Sequence, residues 1–420
     1  MAAAGTLAII LFQGYCSYSV GLLDNGRLKE MFGWKLLDFQ FPDLNTKRMA
    51  IESGAYVQAN NMPVGLDVWN DKLFITVPRW KTGVWSTLNY VSLGKTNEPA
   101  DPSPELIPYP SYKQNCLGSA SADRMVSVFR VSVDACDRLW AVDTGVEDAW
   151  GRADQLQAPK LMVFDLRTDT LIRQHTFGAG DVKPDSFLAN VVADASPDAC
   201  GDAHAYVPDL GGSGLLVYSL ATDASWRVEH HYFHFDPLAG NYRVAGHEFQ
   251  WTDGVVGVAL SPRAPDGSRT LYFHPLSSTT EFAVSTRVLQ NATAASDSYH
   301  AYRALGTRGP GTQASGSALD EGTGVLFYTQ VNRDGVGCWN SVTDADDYSP
   351  DTNTLVAQDR RTLEFPNDVK VDRAATLWVL SDRLSTFLYD GLDPNDVNFR
   401  VFSAPVREVI EGTVCDSAFR

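Results

Sequence analysis

Residues Val131–Gly145 read VSVDACDRLWAVDTG, and the fold follows from this stretch. Val131 and Val133 alternate with polar neighbours, the period of a half-buried strand. Asp134, Ala135, Cys136 and Asp137 supply turn chemistry. Leu139–Val142 is a second apolar run, closed by Asp143, Thr144 and Gly145. The result is a tight hairpin whose second strand is buried on both faces.

The same pattern starts again at Gly65 (GLDVWNDKLFITVPR), Asn190, Val255, Gly316 and Asn367 (NDVKVDRAATLWVLSD). Each copy has a strand, a polar turn and an aromatic residue opening the second strand. Those aromatics are Phe74, Trp140, Tyr206, Tyr272, Phe327 and Trp378, spaced by 66, 66, 66, 55 and 51 residues. Self-similarity at such a period marks a repeat architecture. Every element is a strand, and each interval has room for two more strands after the hairpin. That spacing predicts an all-β, six-bladed propeller of four-stranded blades around a central channel. Trp34–Phe39 also alternates. It is expected to complete the last blade beside Phe399–Phe402, so that strands from both termini close the ring and cover its exposed edges.

Residues 1–19 read as a secretory signal peptide: an apolar run, too short to span a bilayer, followed by small residues, with a cut between Cys16 and Val20. The basic flank usual in such leaders is missing, since the first Lys or Arg is Arg27. Residues 20–420 then form one propeller domain. Asn291-Ala-Thr293 is a glycosylation sequon. Cys136 and Cys200 fall in the same hairpin turn of successive blades, which favours their pairing, although Cys116 competes for Cys200. Cys338 and Cys415 are the remaining pair. Cysteine use of this kind fits an oxidising, extracellular compartment. A formal net charge of −17 argues against nucleic acid and anionic membranes as partners.

Long motifs carry a family resemblance. They are MPVGLDVWNDKLFITVPRWKTGVWSTLNYV (Met62–Val91), SVFRVSVDACDRLWAVDTG (Ser127–Gly145), Trp251-Thr-Asp-Gly254 with GVAL after it, Cys338-Trp-Asn-Ser341 and EFPNDVKVDRAATLWVLSDRL (Glu364–Leu384). The chain resembles the yellow and major royal jelly protein family. The resemblance implies a secreted six-bladed propeller with one of three roles. These are dopachrome conversion in melanin and cuticle pigmentation, binding of biogenic amines in the central pocket, or storage. Nutritive members tend to carry low-complexity tails, and none follows Cys415 here, which favours the yellow type. The expected partner is a small aromatic amine or aminochrome, and no cofactor is expected.

In a propeller the inner strands line a channel whose mouth holds ligand. Asp143, Asp209 and Asp382 follow the second strands of three repeats, and Arg79 and Gln330 stand at matching positions. Dopachrome conversion is a tautomerisation that needs a base at the carbon bearing the carboxylate and donors for the oxygens. Asp143 and Asp368 are candidate bases, with Arg79 to hold a carboxylate. Phe365 and Trp339 are candidate aromatic walls. Asn367, Asp209, Asn340 and Gln330 are further candidate ligand contacts. Against this stands the plain role of such Asp residues, which is to close turns on backbone amides. His247 is another candidate base.

Metal binding draws little support from the sequence. His231 and His234 are three apart and would point to opposite faces of a strand, here read as an outer strand of the third blade. The Asp-rich loop from Asp344 to Asp351 lacks the EF-hand glycine and closing glutamate. A calcium-dependent propeller hydrolase would need oxygen ligands at the starts of several inner strands. Only Asn190 and Asn367 qualify among Val64, Val128, Asn190, Val255, Ser315 and Asn367. There is no GxSxG elbow for serine hydrolysis. The enzyme and the amine binder share one pocket, and the sequence does not separate them.

Overall fold

The computed structural model describes residues 27–94 and 101–419. The expected leader at 1–19 lies outside the described residues. Six four-stranded antiparallel sheets form the six blades of a β-propeller. Their inner strands are Gly65–Trp69, Val128–Val133, Val192–Asp194, Val255–Leu260, Ala314–Asp320 and Pro366–Val371. Each is hairpin-paired to a second strand that carries one of the six recurring aromatics. All six of these side chains are buried. They pack where neighbouring blades meet, because a sheet with two apolar faces must cover both. Between blades two and three, for example, Trp140, Val142 and Val163 pack with Val191, Val207 and Tyr218.

Blade six is closed from both ends of the chain. Lys29–Trp34 pairs antiparallel with Phe399–Pro405 as its outermost strand. The closing strand therefore lies earlier than the expected Trp34–Phe39, and only Trp34 is common to both. Lys29–Trp34 does not alternate: Lys29 and Glu30 are exposed, Met31 and Phe32 are both buried, and the register shifts between Glu30 and Phe32, so a period-two reading passes it over. Phe39 instead makes a parallel bridge to Leu106, under blade one.

Other local expectations also shift. Ile107–Pro108 pairs with Leu88–Ser92 as the fourth strand of blade one. His230–His234, read as an outer strand, is a 3-10 turn over His231–Phe233. His230 caps it by accepting the Tyr232 amide at 3.1 Å. The outer strand of blade three is Ala224–Val228, immediately before it. Trp339 and Asn340, candidate ligand contacts by sequence, lie in the strand Gly335–Asn340 and are buried, as is Asp344 just beyond.

Disulfides join Cys136 to Cys200 and Cys338 to Cys415, with Cα atoms 5.9 Å and 6.3 Å apart. Cys116 is unpaired. The first bridge ties the hairpin turn of blade two to that of blade three, and the second ties blade five to the chain's end. No helix of the described residues is long and apolar enough to cross a membrane.

Candidate functional site

The inner strands all start at the same end of the channel, and there they enclose a cavity of about 300 Å³. Each blade contributes lining near its inner-strand start: Val64, Phe129, Ala189, Val256, Ser315 and Asn367. Connecting loops add a collar of rings. Trp80 meets Trp150 edge-on at 5.9 Å, Phe129 meets Phe187 at 4.6 Å, and Trp251 meets Phe365 at 6.0 Å. Trp150 reaches the cavity from a small hairpin in which Val146–Glu147 pairs with Asp154–Gln155. Phe365 holds a left-handed backbone, φ 49°, which costs a bulky residue energy and persists only where its surroundings impose it. Here its amide is held by the Asp334 carboxylate at 3.3 Å.

Two charged side chains line this apolar cup. Arg130 lies at its floor, 2% exposed. Its Nη2 donates to Ser315 Oγ, to the Asn367 carbonyl and to Asn367 Oδ1 at 2.7, 2.6 and 2.8 Å. Among the described residues its Nε and Nη1 have no hydrogen-bond partner. Asn367 in turn donates to Asp382 Oδ2 at 2.5 Å. Burial pushes the Asp382 carboxyl well above the usual carboxylate range.

Asp253 stands on the wall. Its backbone is pinned by Ser277, whose hydroxyl accepts the Asp253 amide at 3.3 Å and donates to the Trp251 carbonyl at 2.9 Å. Burial raises its carboxyl to about 6. Among the described residues no charged neighbour offsets that burial, so the ionised form, which prevails at neutral pH, is left seeking a cation.

The sequence-derived candidates divide on this geometry. Phe365 and Asn367 line the cavity. Asp368 sits directly behind it, accepting the Leu66 and Val369 amides at 3.1 and 3.0 Å, with Arg130 Nε 3.7 Å away. Asp143, Asp209 and Arg79 are buried in the ring outside the lining. Asp143 accepts the Val126, Ser127 and Gly145 amides. Asp209 accepts the Phe187 and Gly212 amides and pairs with Arg227 at 2.7 Å. Arg79 spends its guanidinium on main-chain carbonyls, among them those of Val84, Trp85, Asn115 and Val126. Trp339 donates to the Asp347 carbonyl at 3.0 Å inside blade five, Asn340 donates to the Cys415 carbonyl at 3.0 Å, and Gln330 is buried in the same blade.

His247 lies on the hairpin Asn241–Gln250 at the rim, 3.9 Å from Asp390. Asn190 spends its amide on the Val256 carbonyl at 2.9 Å. No three His, Cys, Asp or Glu side chains converge as a metal site among the described residues. Asp253 and Arg130 were not singled out by sequence reasoning. A signal was present for Asp253, because it belongs to the Trp251-Thr-Asp-Gly254 motif.

Residues 126–415 match the family described as major royal jelly protein. The chain is 42% identical over 392 residues to the Protein yellow of Drosophila yakuba, spanning 93% of this chain and 71% of that one. The same figures hold for the Protein yellow of Drosophila melanogaster. Among solved structures, that of U3-55K aligns at a TM-score of 0.46 and 10% identity, covering 91% of this chain and 99% of that one, a likeness too loose to bear on function. On the family match and these identities, the chain belongs to the yellow and major royal jelly protein family.

Proposed function

We propose that this chain is a secreted protein of pigment formation that takes catechol-derived aminochromes or aromatic amines into the aromatic cavity at the channel mouth. One observation carries the reading: an ionised, cation-seeking carboxylate, Asp253, stands within a collar of aromatic rings. A catechol or indole ring stacks on such walls, and an ammonium pairs with such a carboxylate. Secretion is supported by the two disulfides and by the exposed Asn291 of the sequon.

For an aminochrome carrying a carboxylate, the same geometry supports a tautomerisation. The Arg130 guanidinium at the floor attracts the carboxylate and lowers the energy of negative charge on the ring system. Asp253, with its carboxyl near 6, accepts the proton from the carbon bearing that carboxylate and returns a proton elsewhere on the ring. Asp368 acts from behind, as a counter-charge to Arg130.

The test is dopachrome decay with purified protein, alongside calorimetry with dopamine and serotonin. Acceleration above the spontaneous rate that falls at least a hundredfold in Asp253→Asn supports the enzyme. Amine binding without acceleration, weakened in the same variant, makes the protein a carrier. If neither is seen, the reading fails.

A further inference from the structure

The opposite end of the channel holds a second cavity, of about 570 Å³, that shares no lining residue with the aromatic one. Its walls come from the far ends of the inner strands. Partly exposed Val133, Val192, Leu260, Leu319 and Val371, from five successive blades, form an aliphatic ring, and no aromatic residue lines it. Such a wall offers apolar contact to a flexible chain and nothing for a planar ring to stack on.

The charged side chains of this cavity are nearly all engaged. Arg269 pairs with Asp194 and Glu321, and Arg373 with Asp137. Asp134 holds Arg138, Asp320 holds Thr323, and Asp372 holds Trp378. Asp67 accepts the Val68 and Val133 amides, both at 2.7 Å. Lys370 is the exception: among the described residues its ammonium makes no hydrogen bond or ion pair, and it acts on Asp67 only through its field. On the neighbouring inner strand Ser317, 3% exposed and lining the same cavity, has a buried hydroxyl with no hydrogen-bond partner among the described residues. The buried Ser317 hydroxyl is an incomplete set, because buried polar groups are ordinarily paired, and the partly exposed Lys370 ammonium stands free to join it at the head of the aliphatic cup. The acids at the rim, Asp320, Glu321 and Asp372, disfavour a polyanion.

We propose that this second mouth binds an aliphatic monocarboxylate, with its carboxylate on Lys370 and Ser317 and its chain along the aliphatic ring. This site is independent of the aromatic cavity and of whatever is turned over there. The test is calorimetry of the whole secreted protein with octanoate, decanoate and octanol. The expected result is saturable one-to-one octanoate binding that tightens about fourfold per added methylene. Octanol, which lacks the charge, binds at least tenfold more weakly. Lys370→Met weakens octanoate at least tenfold, and Lys370→Arg restores it. Ser317→Ala serves as a second variant, and thermal unfolding checks that each one is folded. Octanoate binding that persists in Lys370→Met, that is lost in Asp253→Asn, or that fails to saturate in the parent protein overturns the proposal.

Discussion

Asp134 shows how much one side chain organises in a blade. Its Oδ1 accepts the Cys136 and Arg138 amides, and its Oδ2 accepts Arg138 Nε and Trp140 Nε1, each at 2.7 Å. Asp372 repeats the device in blade six, bonding the Ala374 and Thr376 amides and Trp378 Nε1 at 2.9 Å. In these two blades the recurring aromatic is a tryptophan whose indole N–H donates to an aspartate of the preceding turn. Asp134→Ala strands a buried guanidinium and a buried indole N–H, and is expected to cost about 3–5 kcal/mol in urea unfolding. A loss below 1 kcal/mol would show that water replaces the carboxylate.

Asp253 gives the residue-scale prediction for function. Its carboxyl is raised to about 6, so it is mostly ionised at pH 7 and mostly neutral at pH 5. An amine ligand stays protonated across that range, so its affinity is expected to fall about tenfold as pH drops from 7 to 5. Asp253→Asn should flatten that dependence, and calorimetry at a series of pH values reads both. A pH-independent affinity in the parent protein would remove Asp253 from the site.

At the scale of the element, the closing strand and the last disulfide govern the integrity of the ring. Lys29–Trp34 supplies the outer edge of blade six, and Trp34 is 1% exposed. Trp34→Ala should cost about 3–5 kcal/mol and leave Phe399–Pro405 as an uncovered edge, seen as aggregation on heating. Cys338–Cys415 spans 77 residues and anchors the chain's end to blade five. Cys415→Ser is expected to lower stability by about 2–4 kcal/mol in denaturant titration without changing the blades. Equal stability of the variant and the parent under oxidising conditions would contradict it.

At the scale of the whole molecule, a propeller presents two chemically different mouths on one rigid ring. One is aromatic with an unpaired carboxylate, and the other is aliphatic with an unpaired ammonium. Since they share no lining residue, their ligands should bind together, and their stabilisations should add. Each ligand at a hundred times its dissociation constant contributes about 2.7 kcal/mol to unfolding free energy. Thermal unfolding with dopamine, octanoate and both together tests this, and mutual displacement would mean a single shared site.

The sequence by itself determined the ring. The recurring hairpin, its aromatic and the blade number are local patterns, and local patterns are written in consecutive residues; the register of the inner strands, shifted by bulges in four blades, is not. The pairing of Cys136 with Cys200 was favoured by their equivalent turns in adjacent blades, and the structure settled it against Cys116. Tertiary structure alone decided which stretch closes blade six, since Lys29–Trp34 carries a register shift that hides any period-two pattern and is fixed by its pairing with Phe399–Pro405, while Phe39 bridges Leu106. It also decided the site. Asp143, Asp209, Asp253 and Asp368 look alike along the chain. Three of them have their oxygens taken by backbone amides, and only Asp253 faces the cavity with its charge uncompensated. Whether a carboxylate is spent on its own turn or left free for a ligand depends on where neighbouring blades place their amides, and that is settled only when the ring has closed.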